Sequence, residues 1–439
     1  MSRLLPALLP VLVVLAGCGG SGDATPDGPS PEQAREAGGG PSAFSPADPE
    51  NPREAIARQE LELLPEEAPP RKPGPDRAYT PWPGFGHDAR HTGSAPVRGP
   101  QDGTVRWKRT LEGPVVPGPA ISRDGIVYAA SNGGVLHALD PKTGEDVWTF
   151  DGGGSYGSDL STVPLVLRDQ TILWPGPNQT LFAIGPDGKE RSRLRFDAMP
   201  LSPALGKGGK VYVTDMAGGL KALSVRGGKL RERWSLSLGD GVSYASTTLA
   251  PDGTIYGAVD TDLVAVRDEG SRGRALWRFS AERIIETTPA VGPDGTIVVG
   301  TNDAFQYGVG PEGKERWRTP RNSFTYSAVA VTNAGIAYYG DHRGALNVVR
   351  AKDGEVLARH VGQARTKARG DVGIWTAPAI DEAGNSYFGT RVGHIYGFDA
   401  KGIRLFDIDT GSTVDSYPAL GADGTLYIGS ESGELYAIG

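Results

Sequence analysis

Residues 119–150 read PAISRDGIVYAASNGGVLHALDPKTGEDVWTF. Ile126 and Tyr128, then Val135, Leu136, Ala138 and Leu139, alternate with other side chains as short half-buried strands do. Asp124-Gly125, Asn132-Gly133-Gly134 and Lys142-Thr143-Gly144 stand between the strands as tight turns. The same frame recurs from Pro164, Pro203, Leu249, Pro289, Ala328, Pro378 and Pro418, at spacings of 39 to 50 residues. A period of about 42 residues carrying four short strands is that of a β-propeller blade. The fold class is therefore all-β, an eight-bladed propeller of four-stranded antiparallel blades.

The eighth copy reaches only its third strand at Ala437-Ile438-Gly439. Thr104-Val105-Arg106-Trp107-Lys108-Arg109-Thr110 has the outer-strand pattern of Val147-Trp148-Thr149 and Leu276-Trp277-Arg278, yet belongs to no copy. The expectation is that this N-terminal strand completes the last blade and closes the ring, so that no sheet edge is left between the ends. Composition agrees: 64 Gly and 35 Pro, with only 8% aromatic residues, suit turns and short strands rather than a helical bundle. A single Cys excludes a disulfide framework and a multi-Cys zinc site, and six His leave little for a His-rich metal centre. A formal charge of −7 argues against nucleic acid as a partner.

The N-terminus reads as an address. Residues 1–18 carry Arg3, an apolar run Leu4–Leu15 and then Leu15-Ala16-Gly17-Cys18. The run is too short to span a bilayer and reads as an export signal. Its end resembles a bacterial lipobox, which makes Cys18 the expected lipidation site and palmitate-type acyl chains the expected anchor. Residues 19–80 hold 12 Pro, 8 Gly and twelve acidic against six basic side chains, the composition of a disordered tether. Asn51-Pro52-Arg53-Glu54 could open a short helix through Leu64 within it. Residues 81–103 form a lead-in segment, and 104–439 the propeller.

Ala138-Leu139-Asp140-Pro141-Lys142-Thr143-Gly144-Glu145-Asp146-Val147-Trp148 is similar to the tryptophan-docking motif of the pyrroloquinoline-quinone-like propeller repeats. Trp82-Pro83-Gly84-Phe85-Gly86-His87-Asp88-Ala89-Arg90-His91-Thr92-Gly93 also resembles a segment that precedes such propellers. The resemblance implies docking roles for Trp107, Trp148, Trp234, Trp277 and Trp317, with Ser192, Ala358 and Phe406 at degenerate places. Trp148 is expected to matter most for stability and Trp82, ahead of the repeats, to matter less. The family contains quinoprotein dehydrogenases and non-enzymatic scaffolds alike. The vicinal Cys pair and calcium shell that the dehydrogenases use are not matched, so no cofactor and no metal is expected. The nearest functional analogue implied is the lipoprotein subunit of the machinery that assembles outer-membrane β-barrels.

Other motifs carry less. His87 and His91 stand four apart without the helix or the Glu of a zinc-protease site, and read as loop residues. The GxGxxG strings Gly152–Gly157 and Gly308–Gly313 join strand to strand, not strand to helix, and read as turns. Asp407, Asp409 and Asp415 fall short of a calcium loop. Segments entering the innermost strands line one mouth of a propeller channel, and loops there carry function. They supply a candidate funnel of Tyr156, Asp159, Tyr244, Arg283, Glu286, Phe324, Tyr326, Asp371, Trp375, Asp415 and Tyr417. Arg365, Lys367 and Arg369 make a basic loop suited to an acidic partner or lipid headgroups. The expected protein is a monomeric, lipid-anchored, extracytoplasmic scaffold for a cell-envelope protein or glycan. The alternative is an enzyme using the funnel, either a quinoprotein dehydrogenase or a glycan-cleaving propeller.

Overall fold

The structure, a computed structural model, describes residues 82–156, 162–302, 305–320, 326–361 and 372–439. Cys18, the leader and the 19–80 tether with its candidate helix lie outside the described residues, as do Asp159, Phe324, Asp371 and the basic loop of Arg365, Lys367 and Arg369.

Eight four-stranded antiparallel sheets form among the described residues. Each runs from a two-residue inner strand to an outer strand; blade one comprises Ala120–Ile121, Val127–Ala130, Val135–Leu139 and Asp146–Asp151. Burial follows position. The second strand of blade one is buried at every residue, because neighbouring blades cover both faces, while Asp146–Asp151 alternates between exposed and half-buried. Continuous apolar runs and alternating ones thus mark middle and outer strands respectively. The eighth sheet is made of Ala419–Leu420, Leu426–Gly429, Glu434–Ile438 and, from the other end of the chain, Val105–Thr110. Trp107 pairs with Ala437 and Arg109 with Leu435, so the ring closes as the repeat frame requires.

Outer-strand tryptophans dock each blade on the next. Trp107 Nε1 donates to Pro141 O at 2.9 Å, Trp148 to Pro186 O at 2.9 Å, Trp277 to Pro311 O at 2.8 Å and Trp317 to Ala351 O at 2.9 Å. Trp234 instead donates to the Asp268 carboxylate at 2.9 Å. Each acceptor lies beside the turn of the following blade. The turn residue Gly144, at φ +72°, shows why glycine stands there: a Cβ would sit 2.6 Å from the Trp107 ring. Where tryptophan is lost, Ser192 Oγ donates to Gly228 O at 2.7 Å, and His360 stacks on Phe398 at 5.6 Å. Burial would raise the Asp268 carboxyl, but hydrogen bonds from Lys210, Tyr212, the Gly270 amide and Trp234 outweigh it and hold its pKa at about 2.

The lead-in segment is a strap across the channel. The amides of Ile121, Val166, Leu249, Val291, Val331 and Ile380, each closing an inner strand, donate to the carbonyls of Trp82, Pro83, Ala89, Arg90, His91 and Gly93. Six blades are therefore tied to one short peptide, and their inner edges are satisfied by backbone rather than by water. The strap turns tightly on itself through Gly93 N–H to Gly86 O at 2.9 Å and Thr92 Oγ1 to Asp88 at 3.0 Å. Gly93, at φ +59°, passes so near Ala330 that a Cβ would lie 2.5 Å from its methyl. Trp82 is 3% exposed, whereas Trp148 is half-buried. The expectation that Trp82 matters less than Trp148 thus has its physical basis reversed: the lead-in is part of the core.

Candidate functional site

Residues preceding the inner strands converge on the face opposite the strap. There a cavity of about 380 Å³ is lined by Tyr244, Glu286, Tyr326, Trp375, Asp415 and Tyr417, all of them funnel candidates from the sequence. Tyr156 is buried instead, its hydroxyl donating to Pro175 O at 2.5 Å, and burial raises its pKa. Arg283 is exposed and does not line the cavity.

Phe85 of the strap also lines the cavity, and its ring meets Tyr417 edge-on at 4.6 Å. The strap thus floors the channel, leaving a cup that opens on one face. Sequence reasoning missed Phe85, because a residue ahead of the repeats has no place in their register. It also missed Ser246 and Thr288. Val163 N–H donates to Ser202 Oγ at 2.9 Å, Ser202 N–H to Ser246 Oγ at 3.2 Å and Ser246 N–H to Thr288 Oγ1 at 3.0 Å. This relay links consecutive blades around the cup. The small hydroxyl residue two positions before an inner strand was its available signal.

Trp375 forms the hub of one wall. The Arg391 guanidinium lies over its ring at 3.7 Å, Tyr326 meets it edge-on at 4.7 Å, and its Nε1 contacts His342 Nδ1 at 3.3 Å. Arg391 also pairs with Asp415, so cation–π contact and ion pair fix each other. Across the cup, Glu286 is half-buried and desolvation raises its pKa; its Oε2 has no hydrogen-bond partner among the described residues. Burial likewise raises the Tyr417 hydroxyl. Tyr244 is 47% exposed at the rim. Aromatic faces of this kind can stack on a ligand, with the half-buried Glu286 carboxyl beside them. Among the described residues, no three His, Cys, Asp or Glu side chains gather as metal ligands.

Comparison with known proteins matches this architecture. The family model described as outer membrane protein assembly factor BamB matches residues 97–267 and 252–404. The outer membrane protein assembly factor BamB of Burkholderia pseudomallei is 26% identical over 331 residues, covering 62% of this chain and 81% of that protein. Protein Rv3035 of Mycobacterium tuberculosis is 23% identical over 382 residues, covering 78% of this chain and 89% of its own. The crystal structure of BamB from Moraxella catarrhalis aligns with a TM-score of 0.57 at 18% identity, covering 76% of this chain and 99% of that one, a likeness of fold. The chain therefore belongs to the family of PQQ-like repeat β-propellers whose model is described as outer membrane protein assembly factor BamB.

Proposed function

We propose that this chain is a non-catalytic binding scaffold of the bacterial cell envelope that holds a protein or glycan at its cup. The family match over residues 97–404 carries this reading, since the relatives' printed name is that of an assembly factor. The floored cup supports it: aromatic walls and a fixed Arg391–Asp415 pair suit recognition of a surface group presented from one side. The leader and Cys18 are read as a lipoprotein export signal and anchor, and residues 19–80 as the tether between membrane and propeller. Two or three acyl chains at about 0.8 kcal/mol per buried CH₂ hold a protein on a membrane where one would not.

A photoreactive phenylalanine analogue in place of Tyr244, in the full chain expressed in its own cells, tests the scaffold. A discrete envelope-protein or glycan adduct is expected, and Trp375→Ala in the same protein should diminish it. No adduct at Tyr244, or one that Trp375→Ala leaves unchanged, overturns the reading of the cup. Labelling with an alkyne fatty acid tests the anchor. It should vanish in Cys18→Ala, and unchanged labelling refutes the lipidation.

A further inference from the structure

Blade three differs from the others in charge. Residues 203–237 hold seven basic and two acidic side chains, in a propeller whose remaining charges are net acidic. Elsewhere most outer-strand arginines are neutralised, Arg195 of blade two being an exception: Arg109 by Asp146 at 2.5 Å, Arg193 by Glu190 at 2.5 Å, Arg278 by Asp262 at 2.6 Å and Arg404 by Asp407 at 3.1 Å. In blade three, Glu232 is taken by Lys221 at 2.8 Å, and Lys210 pairs with Asp268 of the next blade at 2.5 Å. Arg226, Lys229, Arg231 and Arg233 have no ion-pair partner among the described residues.

These four and Lys210 line one groove of about 560 Å³, away from the cup, at the end of the blade where its turns lie. Register explains the gathering. Lys210 pairs with Ser224, Ser224 with Arg231, and Arg226 with Lys229, so their side chains share one face of the sheet. The last two strands, Gly219–Arg226 and Lys229–Ser237, are eight and nine residues long, against five and six in blade one, and so project further. Strand Lys229–Ser237 ends its sheet, leaving one backbone edge without a strand beside it. Gathering like charges is unfavourable for the fold alone, and an oppositely charged ligand relieves it.

We propose that this groove binds an extended acidic segment of a partner protein, its carboxylates forked by Arg226, Arg231 and Arg233. The proposal deepens the scaffold reading and rests on it. A concave groove beside an open strand edge suits an extended peptide, which can add main-chain hydrogen bonds to its charge pairs. A flat lipid surface would meet only the outermost of these side chains.

The test is titration of a fluorescein-labelled peptide of six Glu-Ser repeats with the full-length protein at 150 mM NaCl. Polyphosphate and phosphatidylglycerol vesicles are run alongside. Arg231→Glu with Arg233→Glu should weaken peptide binding at least tenfold. Arg123→Glu with Lys142→Glu, an equal charge change on exposed turn residues of blade one, should leave it within twofold. Equal circular dichroism melts of both variants show that folding is kept. Peptide binding that the groove variant leaves within twofold, no peptide binding at this salt, or a tenfold loss seen only with polyphosphate or vesicles overturns the proposal. Such failure leaves the Tyr244 adduct untouched, so the two readings fail separately.

Discussion

Replacing Trp82 by Ala tests whether the strap is core or decoration. Trp82 is 3% exposed, its ring meets His87 edge-on at 5.1 Å, and its carbonyl accepts the Ile121 amide at 2.7 Å. Truncating a tryptophan this buried costs about 3–5 kcal/mol through lost transfer energy and the cavity left behind. Trp148 keeps part of its ring in water, so its truncation loses roughly half that burial and one neutral hydrogen bond, about 2 kcal/mol together. At about 2.1 cal/mol/K per residue, residues 82–439 unfold with an entropy of roughly 0.75 kcal/mol/K. Trp82→Ala should therefore lower Tm by about 5 °C and Trp148→Ala by about 3 °C in scanning calorimetry. Hydrogen exchange adds a local readout: in Trp82→Ala the Ile121 and Val166 amides should lose protection, while that of Tyr128 is kept. A Trp148→Ala shift exceeding that of Trp82→Ala, with Ile121 still protected, would refute the strap's place in the core.

Three further outcomes follow from the geometry. Removing Met1–Ala78 should leave a monomer on size-exclusion chromatography, whereas removing Met1–Thr110 also strips strap and closing strand and should give oligomers through the bared edge of Glu434–Ile438. Equal elution and melting of the two truncated proteins would contradict closure. His87, His91 and His360 are held neutral by burial, with pKa values below 6.5. The unfolded chain binds protons that the native state refuses, so stability present above pH 6.5 is lost as pH falls towards the depressed folded values. Tm should fall between pH 7.5 and 5.5, and fall less in His87→Asn, a residue suited to the φ of 73° there; parallel profiles would exclude His87 as a contributor. Asp268→Asn leaves Lys210 unneutralised and should cost about 1–2 kcal/mol after discounting for solvent screening, read as a denaturant midpoint. Because the folded carboxyl titrates near 2, that penalty should be present above pH 4 and shrink as pH falls through 2; a penalty constant with pH would mean packing, not charge.

Repetition made the ring legible from the sequence. Eight copies of one strand-turn frame fix blade number, and the incomplete last copy, beside an unassigned strand at Val105–Thr110, fixes closure. These are local patterns of alternation and turn chemistry, which one strand and its neighbour suffice to read. The funnel was legible in part for the same reason, since its residues hold a constant offset from each inner strand. Tyr244, Glu286, Tyr326, Trp375, Asp415 and Tyr417 do meet in one cup, while Tyr156 turns into the core and Arg283 away from it. What only the tertiary structure decided lies between elements distant in sequence. The strap of Trp82–Gly93 serves six blades, and Arg391 joins Asp415 to Trp375. The unpaired cations of blade three are meaningful only once most outer-strand arginines of the other blades are seen beside their acids. Strand periodicity reports which way a side chain faces; which distant carbonyl or carboxylate it meets depends on the curvature and closure of the whole ring.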